Sequence, residues 1–443
     1  MTDESRGPHT RSVHAGCTPD GTGARATPIH QTTSYVFPDA DEAAARYALD
    51  SEADVYSRIS NPTVSALEDR LASLHGAPAA VATNAGMGAI DAVTTTLAEN
   101  GRNVVAGAEM YGGTATYFST IASKRGVDVR TVDALDPDAV DDAVDDDTAF
   151  VHVETVANPS LVTPDFDALA DVAHDHAVPL VVDNTFATPH LCRPIEHGAD
   201  VVWASTTKWL HGAGTTLGGV VVDGGTFPWD HPDADFPELS GENPAFDVDF
   251  ADRFGERALA AAVRHRAVRT TGTGQTAFDA WQTLQGVETL PLRVARHCEN
   301  AAALADFLAD HPHVARVSYP GREDHPTHDN ATEYLDGGAA SGASGTAADS
   351  SAGGYGGMLT FAPEGGYDAA KAVCETVDLA SFLANVGDAK TLVVHPASTT
   401  HAQLPEAEQR DAGVQPDMVR VSVGIEDASD VLADFDRALR EVH

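Results

Sequence analysis

Between residues 79 and 222 the chain repeats one pattern, a short apolar run followed by a stretch with helical spacing. The apolar runs are Ala79–Ala82, Asn103–Ala106, Phe150–Val156, Leu180–Val182, Val201–Ala204 and Val220–Val222. Helical stretches at Gly86–Leu97, Thr114–Lys124 and Asp165–His176 separate them. Strands that alternate with helices need crossover connections, which make neighbouring strands parallel and cover both faces of the sheet. The expectation is an open α/β fold with a mostly parallel sheet.

Around this repeat the organisation is uneven. Residues 1–60 are polar and irregular, with turn pairs such as Asn61-Pro62 at their end, and read as an arm. Val64, Leu67, Leu71 and Leu74 mark one face of a helix over Val64–His75. A large domain spans 61–285. Within it, about 223–270 is an insertion whose first part, 223–255, is rich in Pro, Asp, Gly and Phe without a period and reads as a surface loop. Phe278–Leu284 and Leu292–Leu308 are helical in spacing, and the second leads into another domain, 286–443. That domain ends with a strand, Met418–Val423, and a helix, Ala428–Glu441. Residues 337–357 are almost all Gly, Ala and Ser, a low-complexity insertion.

Charge excludes several functions. The net charge is −40, and only four lysines occur, Lys124, Lys208, Lys371 and Lys390. Phosphate contacts need basic patches, so a nucleic-acid partner is not expected. Acid spread over the whole chain resembles proteins of salt-accumulating halophiles, where a Debye length of about 3 Å in molar salt screens self-repulsion. No apolar stretch approaches the roughly 20 residues of a membrane span. Met1–Pro8 is polar and lacks a signal-peptide core, which places the protein in the cytoplasm. Cys17, Cys192, Cys298 and Cys374 form no CxxC pair, and the histidines form no HExxH, so neither a disulfide framework nor a metal site is expected.

Three features converge at expected strand ends, where open α/β sheets bind ligands. Asp183 ends an apolar run, and a carboxylate buried there is costly without a cation or donors; alone it reads equally as a turn or capping residue. Lys208 follows Ser205-Thr206-Thr207 directly after another run, and Trp209 and Leu210 follow it. Desolvation lowers a lysine pKa and frees the neutral amine as a nucleophile. Gly86-Met87-Gly88 opens a helix, whose free N–H groups suit a phosphate. Together these are the needs of pyridoxal 5'-phosphate (PLP): an amine for the imine, a carboxylate for the pyridine nitrogen, and amides and hydroxyls for the phosphate.

The motifs add a resemblance. Pro28-Ile29-His30-Gln31-Thr32-Thr33-Ser34-Tyr35, Tyr56-Ser57-Arg58-Ile59-Ser60-Asn61-Pro62-Thr63, Val181-Val182-Asp183-Asn184-Thr185, Ala384-Asn385-Val386-Gly387-Asp388-Ala389-Lys390 and Arg420-Val421-Ser422-Val423-Gly424-Ile425-Glu426 stand in family order. In them the chain resembles, nearly end to end, the PLP enzymes of cysteine and methionine metabolism related to cystathionine gamma-synthase. Within that family the likeness is nearest to O-acetylhomoserine sulfhydrylases.

The resemblance implies a fold-type-I PLP-dependent transferase, with a smaller α+β C-terminal domain and an arm that reaches the neighbouring subunit of a homotetramer built from dimers. It implies Lys208 as Schiff-base lysine and proton carrier, and Asp183 as partner of the ring nitrogen. Gly86, Met87, Ser205 and Thr207 would hold the phosphate, and Tyr111 would stack on the ring and assist proton transfer. Asn158 would bond the ring hydroxyl, while Tyr56 and Arg58 would reach the neighbour's phosphate. Arg420 would clamp the substrate carboxylate, with Asn385 beside it. The implied reaction joins O-acetyl-L-homoserine and sulfide into L-homocysteine, in methionine biosynthesis; cystathionine synthesis and gamma-elimination are the alternatives. The length of the 223–270 insertion and Asn385 favour the sulfhydrylase. Ala213 departs from the His or Gln usual five residues after the lysine, and His211 stands nearby. The 337–357 insertion is not a family feature.

Overall fold

The computed structural model describes residues 6–17, 23–241, 248–335, 354–402 and 405–443. The Gly/Ala/Ser insertion expected at 337–357 thus lies outside the described residues up to 353. So do residues 242–247 of the longer insertion.

Twelve strands form two sheets among the described residues. The first holds β1 (Ala79–Thr83), β2 (Asn103–Gly107), β3 (Asp128–Val132), β4 (Thr148–Glu154), β5 (Leu180–Asp183), β6 (Val201–Ala204) and β7 (Gly219–Asp223), in the order β1-β7-β6-β5-β4-β2-β3. Only β7 runs antiparallel to its neighbours. The carboxyl ends of β4, β5 and β6 therefore open on one edge. These strands are buried at every position, which is why they read as continuous apolar runs. β3 is an edge strand with half-exposed residues, so no apolar run marks it in the sequence.

The second sheet holds β8 (Val314–Ser318), β9 (Met358–Pro363), β10 (Ser381–Phe382), β11 (Leu392–Val394) and β12 (Val419–Ser422), in the order β10-β11-β12-β9-β8. It is antiparallel except for the β10–β11 pair. Helix Leu290–Ala309 joins the two parts. Its Leu290, Val294 and Cys298 belong to the core beneath the first sheet, and Ala301, Leu304, Ala305 and Leu308 to the core beneath the second. Apolar residues at every third or fourth position of one helix thus lock the sheets together.

Two expectations need correction. The described residues of 223–255 are not a surface loop: Phe227, Trp229, Phe236, Leu239 and Phe250 are buried in the core on one face of the first sheet. The rings of Phe227 and Trp229 lie 4.6 Å apart. Their backbone is irregular, so their burial left no period to read. The helix expected over Thr114–Lys124 is present and starts at Gly112, but its middle, Tyr117–Ala122, is a wider π turn and not α. This stretch buries two consecutive rings, Tyr117 and Phe118.

The arm holds helices Pro8–His14 and Ala40–Tyr47 and is tied down by polar contacts. Arg70 donates to the Ala15 carbonyl at 2.9 Å. Arg253 meets Asp50 at 2.7 Å and Arg257 meets Glu52 at 2.9 Å. Among the described residues no helix is long and apolar enough to cross a membrane.

Candidate active site

A cavity of about 520 Å³ lies at the carboxyl ends of β4, β5 and β6. Cavities of this size are typical of small-molecule sites. The opening of helix Gly86–Leu97 forms one wall, and residues 384–386 with Arg420 close it from the second sheet. Ten residues singled out in the sequence line it: Gly86, Met87, Tyr111, Asn158, Asp183, Ser205, Thr207, Lys208, Asn385 and Arg420. Tyr56 and Arg58 do not. Tyr56 is exposed, the Arg58 guanidinium lies 5.5 Å from its ring centre, and Arg58 donates to the Arg269 carbonyl.

Lys208 sits in the turn that follows β6. Its Nζ donates to Asn385 Oδ1 at 2.5 Å. Burial, and then the nearby Arg420, push its amine down to about 8. A substantial fraction is therefore the neutral nucleophile near neutral pH.

Asp183 ends β5 and accepts the Thr185 N–H and hydroxyl on Oδ1, at 2.9 and 2.6 Å. Burial still pushes its carboxyl up to about 7. Glu154 pairs with it in register at the end of β4. Burial, and then Asp183, hold Glu154 well above the ordinary carboxylate range. Two carboxylates buried side by side await a cation.

The opposite end of the cavity is neutral. Ala85 offers no side-chain cap to helix Gly86–Leu97. Its carbonyl takes the N–H groups of Gly88 and Ala89, so those of Gly86 and Met87 precede the first helical bonds. A side chain at position 86 would come within 2.7 Å of Ser205 Cβ, so only glycine lets the two segments meet. The Thr207 hydroxyl bridges the Gly218 backbone, donating to its carbonyl at 3.2 Å and accepting its N–H at 3.0 Å. Helix-start amides with two hydroxyls form an anion cradle.

Across the cavity, Arg420 on β12 donates to Asn158 Oδ1 at 2.8 Å. Burial brings its guanidinium down to about 10, still charged at neutral pH. His211 is not part of the lining: it meets the Gln282 carbonyl at 3.2 Å and the Thr215 hydroxyl at 2.8 Å.

Among the lining residues to which sequence reasoning assigned no role are Glu154, Thr185, Trp203 and His401. Glu154 carried the same signal as Asp183, a carboxylate within an apolar run. Trp203 stacks on His152 and forms part of the wall beside Asp183. His401 ends the stretch His395-Pro396-Ala397-Ser398-Thr399-Thr400-His401, which shares in the family resemblance without an implied role, and it comes into the cavity from a distant loop.

The donor set fits PLP on the structure's own terms. A lysine amine of depressed pKa, a buried carboxylate short of a cation and a neutral anion cradle share one cavity. Each meets one part of the cofactor, its aldehyde, its ring nitrogen and its phosphate.

Comparison with known proteins agrees. The model of the Cys/Met metabolism PLP-dependent enzyme family matches residues 9–440. A homocysteine synthase of Schizosaccharomyces pombe is 44% identical over 442 residues, 99% of each chain. An O-acetyl-L-homoserine sulfhydrylase of Thermus thermophilus is 42% identical over 434 residues, 97% of this chain and 99% of the relative. The crystal structure of a Campylobacter jejuni protein assigned as O-acetylhomoserine (thiol)-lyase superposes with a TM-score of 0.89 at 30% identity, covering 98% of this chain and all of that one. It carries a pyridoxyl-lysine phosphate residue. By cavity and by sequence alike, the chain belongs to the PLP-dependent enzymes of cysteine and methionine metabolism.

Proposed function

We propose that this enzyme replaces the γ-acetoxy group of O-acetyl-L-homoserine with sulfide, giving L-homocysteine and acetate for methionine biosynthesis. The observation that carries the reading is full-length likeness, at 44% and 42% identity, to a homocysteine synthase and an O-acetyl-L-homoserine sulfhydrylase. The cavity supports it. Among the described lining residues Arg420 is the single guanidinium, enough for one α-carboxylate.

In this reading PLP supplies an electron sink that accepts charge from the substrate carbons. The residues of the chain do the rest. Lys208 would hold the cofactor, and its Nζ would move the protons at Cα and Cβ. Asn385 holds that nitrogen in place. Asp183 keeps the ring nitrogen protonated, and Asn158 bonds the ring hydroxyl. Gly86 and Met87 N–H groups with the Ser205 and Thr207 hydroxyls hold the phosphate. Tyr111 stacks on the ring face. Arg420 fixes the α-carboxylate by its planar fork.

Tyr56 and Arg58, which stand outside this chain's own cavity, reach the phosphate of a neighbouring subunit. The active form is then a homotetramer, a dimer of dimers, acting in the cytoplasm of a halophile. Purified enzyme in high salt tests the reaction when offered O-acetylhomoserine with sulfide, then cystathionine, then methionine. Homocysteine from the first alone is expected. Ketobutyrate from the other two without sulfide would replace this reading with a γ-lyase.

A further inference from the structure

Two carboxylates end neighbouring strands in the cavity, and their surroundings differ. Asp183 receives both of its donors on one oxygen, from Thr185 two residues away. Glu154 spends each oxygen on a different backbone segment. Oε1 accepts the Tyr111 N–H at 2.6 Å, and Oε2 accepts the Asn158 N–H at 3.0 Å. Those segments carry the ring that faces the cofactor and the amide that meets Arg420.

We propose that Glu154 is the positioning residue of this site: its two oxygens fix the backbone at Tyr111 and at Asn158, and through Asn158 the Arg420 guanidinium, at a set distance from Asp183.

Three observations make the bond necessary. Tyr111 is 47% exposed, and little beyond its backbone holds it. It stands just outside the first turn of the helix that begins at Gly112, where the backbone is not yet held by helical bonds of its own N–H. Its ring rests on Gly113, where a Cβ would come within 2.4 Å of Cε1. The ring position thus follows the backbone, and the backbone follows Glu154. On the other side, Asn158 lies in the loop after β4 and hands the constraint to β12 through Arg420 Nη1. Both N–H donors need an acceptor oxygen. The two N–H groups favour the ionised carboxylate, which accepts on both oxygens, against the burial and the Asp183 charge that raise its pKa; an amide accepts on one only, so glutamine would leave an N–H facing an NH₂ group in a buried place.

The inference rests on this cavity being the cofactor site and not on the identity of the substrate. It is tested on holoenzyme with Glu154→Gln, Glu154→Asp, Tyr111→Phe and the double variant Glu154→Gln/Tyr111→Phe. The first reading is circular dichroism of the cofactor band at about 420 nm, which reports ring tilt in a chiral site. Glu154→Gln is expected to keep the band's absorbance and lose about half or more of its ellipticity, because the stacked ring moves. Its turnover falls about 10- to 100-fold, the scale of a misplacement near 1 Å. In the Tyr111→Phe background the same change costs less than in the unaltered enzyme by the share that acts through the tyrosine hydroxyl, while the share through Asn158 and Arg420 remains. Glu154→Asp keeps two acceptor oxygens and retains more ellipticity and more turnover than Glu154→Gln. It carries the comparison alone if the glutamine variant does not fold.

Unchanged ellipticity in both Glu154 variants would overturn the proposal. Should the unaltered enzyme fail to turn over O-acetylhomoserine, the proposed reaction falls, and the dichroism still decides the role of Glu154.

Discussion

In the cavity, Lys208, Asp183, Glu154 and Arg420 are all at least largely buried, and each has a defined partner within hydrogen-bond distance. Over the whole chain Asp and Glu outnumber Lys and Arg by 40, and few of these charges are buried. The pairs that form at the surface are exposed, as in Arg257–Glu52. Exposed pairs contribute about 0–1 kcal/mol each and are screened by salt. Buried charges act in a medium of low dielectric, where one missing partner is costly. Inside, charge works residue by residue; outside, it works only as a sum.

This contrast is sharpest at Lys208. Lys208→Ala removes the covalent anchor and the proton carrier together, so turnover should fall by roughly 10⁴-fold or more, with loss of the band at about 420 nm. The loss should be the same in low and molar KCl. Partial recovery by salt would mean that the cavity shares the electrostatics of the surface.

The next effect concerns pH. In the cofactor-free protein Asp183 titrates near 7, above its usual range, because burial favours the protonated form. The folded state then binds more protons than the unfolded state between the ordinary carboxylate range and about pH 7. Stability of the cofactor-free protein therefore falls as pH rises through that window. A bound pyridinium ring pairs with the carboxylate and reverses the shift. The melting temperatures of the two forms should diverge from about pH 4 to 7, with the loaded enzyme higher. Parallel melting curves across that range would show that Asp183 does not meet the ring nitrogen.

The smallest effect per residue belongs to the surface. Melting temperature should rise by about several degrees from low to molar KCl, as screening relieves self-repulsion. An unchanged value would leave the acidic surface without a stabilising role for salt.

Much of the site is legible because three of its parts adjoin apolar runs. Asp183, Lys208 and Gly86 all lie at strand or helix ends that the periodicity marks. Glu154 carried the same mark, but its partners are backbone N–H groups at Tyr111, 43 positions earlier, and at Asn158, and backbone donors look alike in every sequence. The aromatic residues of 223–255 escaped notice for another reason. Phe227, Trp229 and Phe236 pack from an irregular backbone, and a period exists only where the backbone repeats. β3 and β8 were silent because edge strands are half exposed and mix polar with apolar residues.

The sequence by itself determined the mostly parallel sheet, the strand ends that hold Asp183 and Lys208, and the excess of acid, because each is written in local order or in a sum. Only the tertiary structure decided that Asn385 reaches Lys208, that Arg420 reaches Asn158, and that Tyr56 and Arg58 lie outside the cavity of their own chain. Those contacts join residues 177 and 262 positions apart. They exist because one long helix packs the second sheet against the first, and no local pattern of residues encodes that distance.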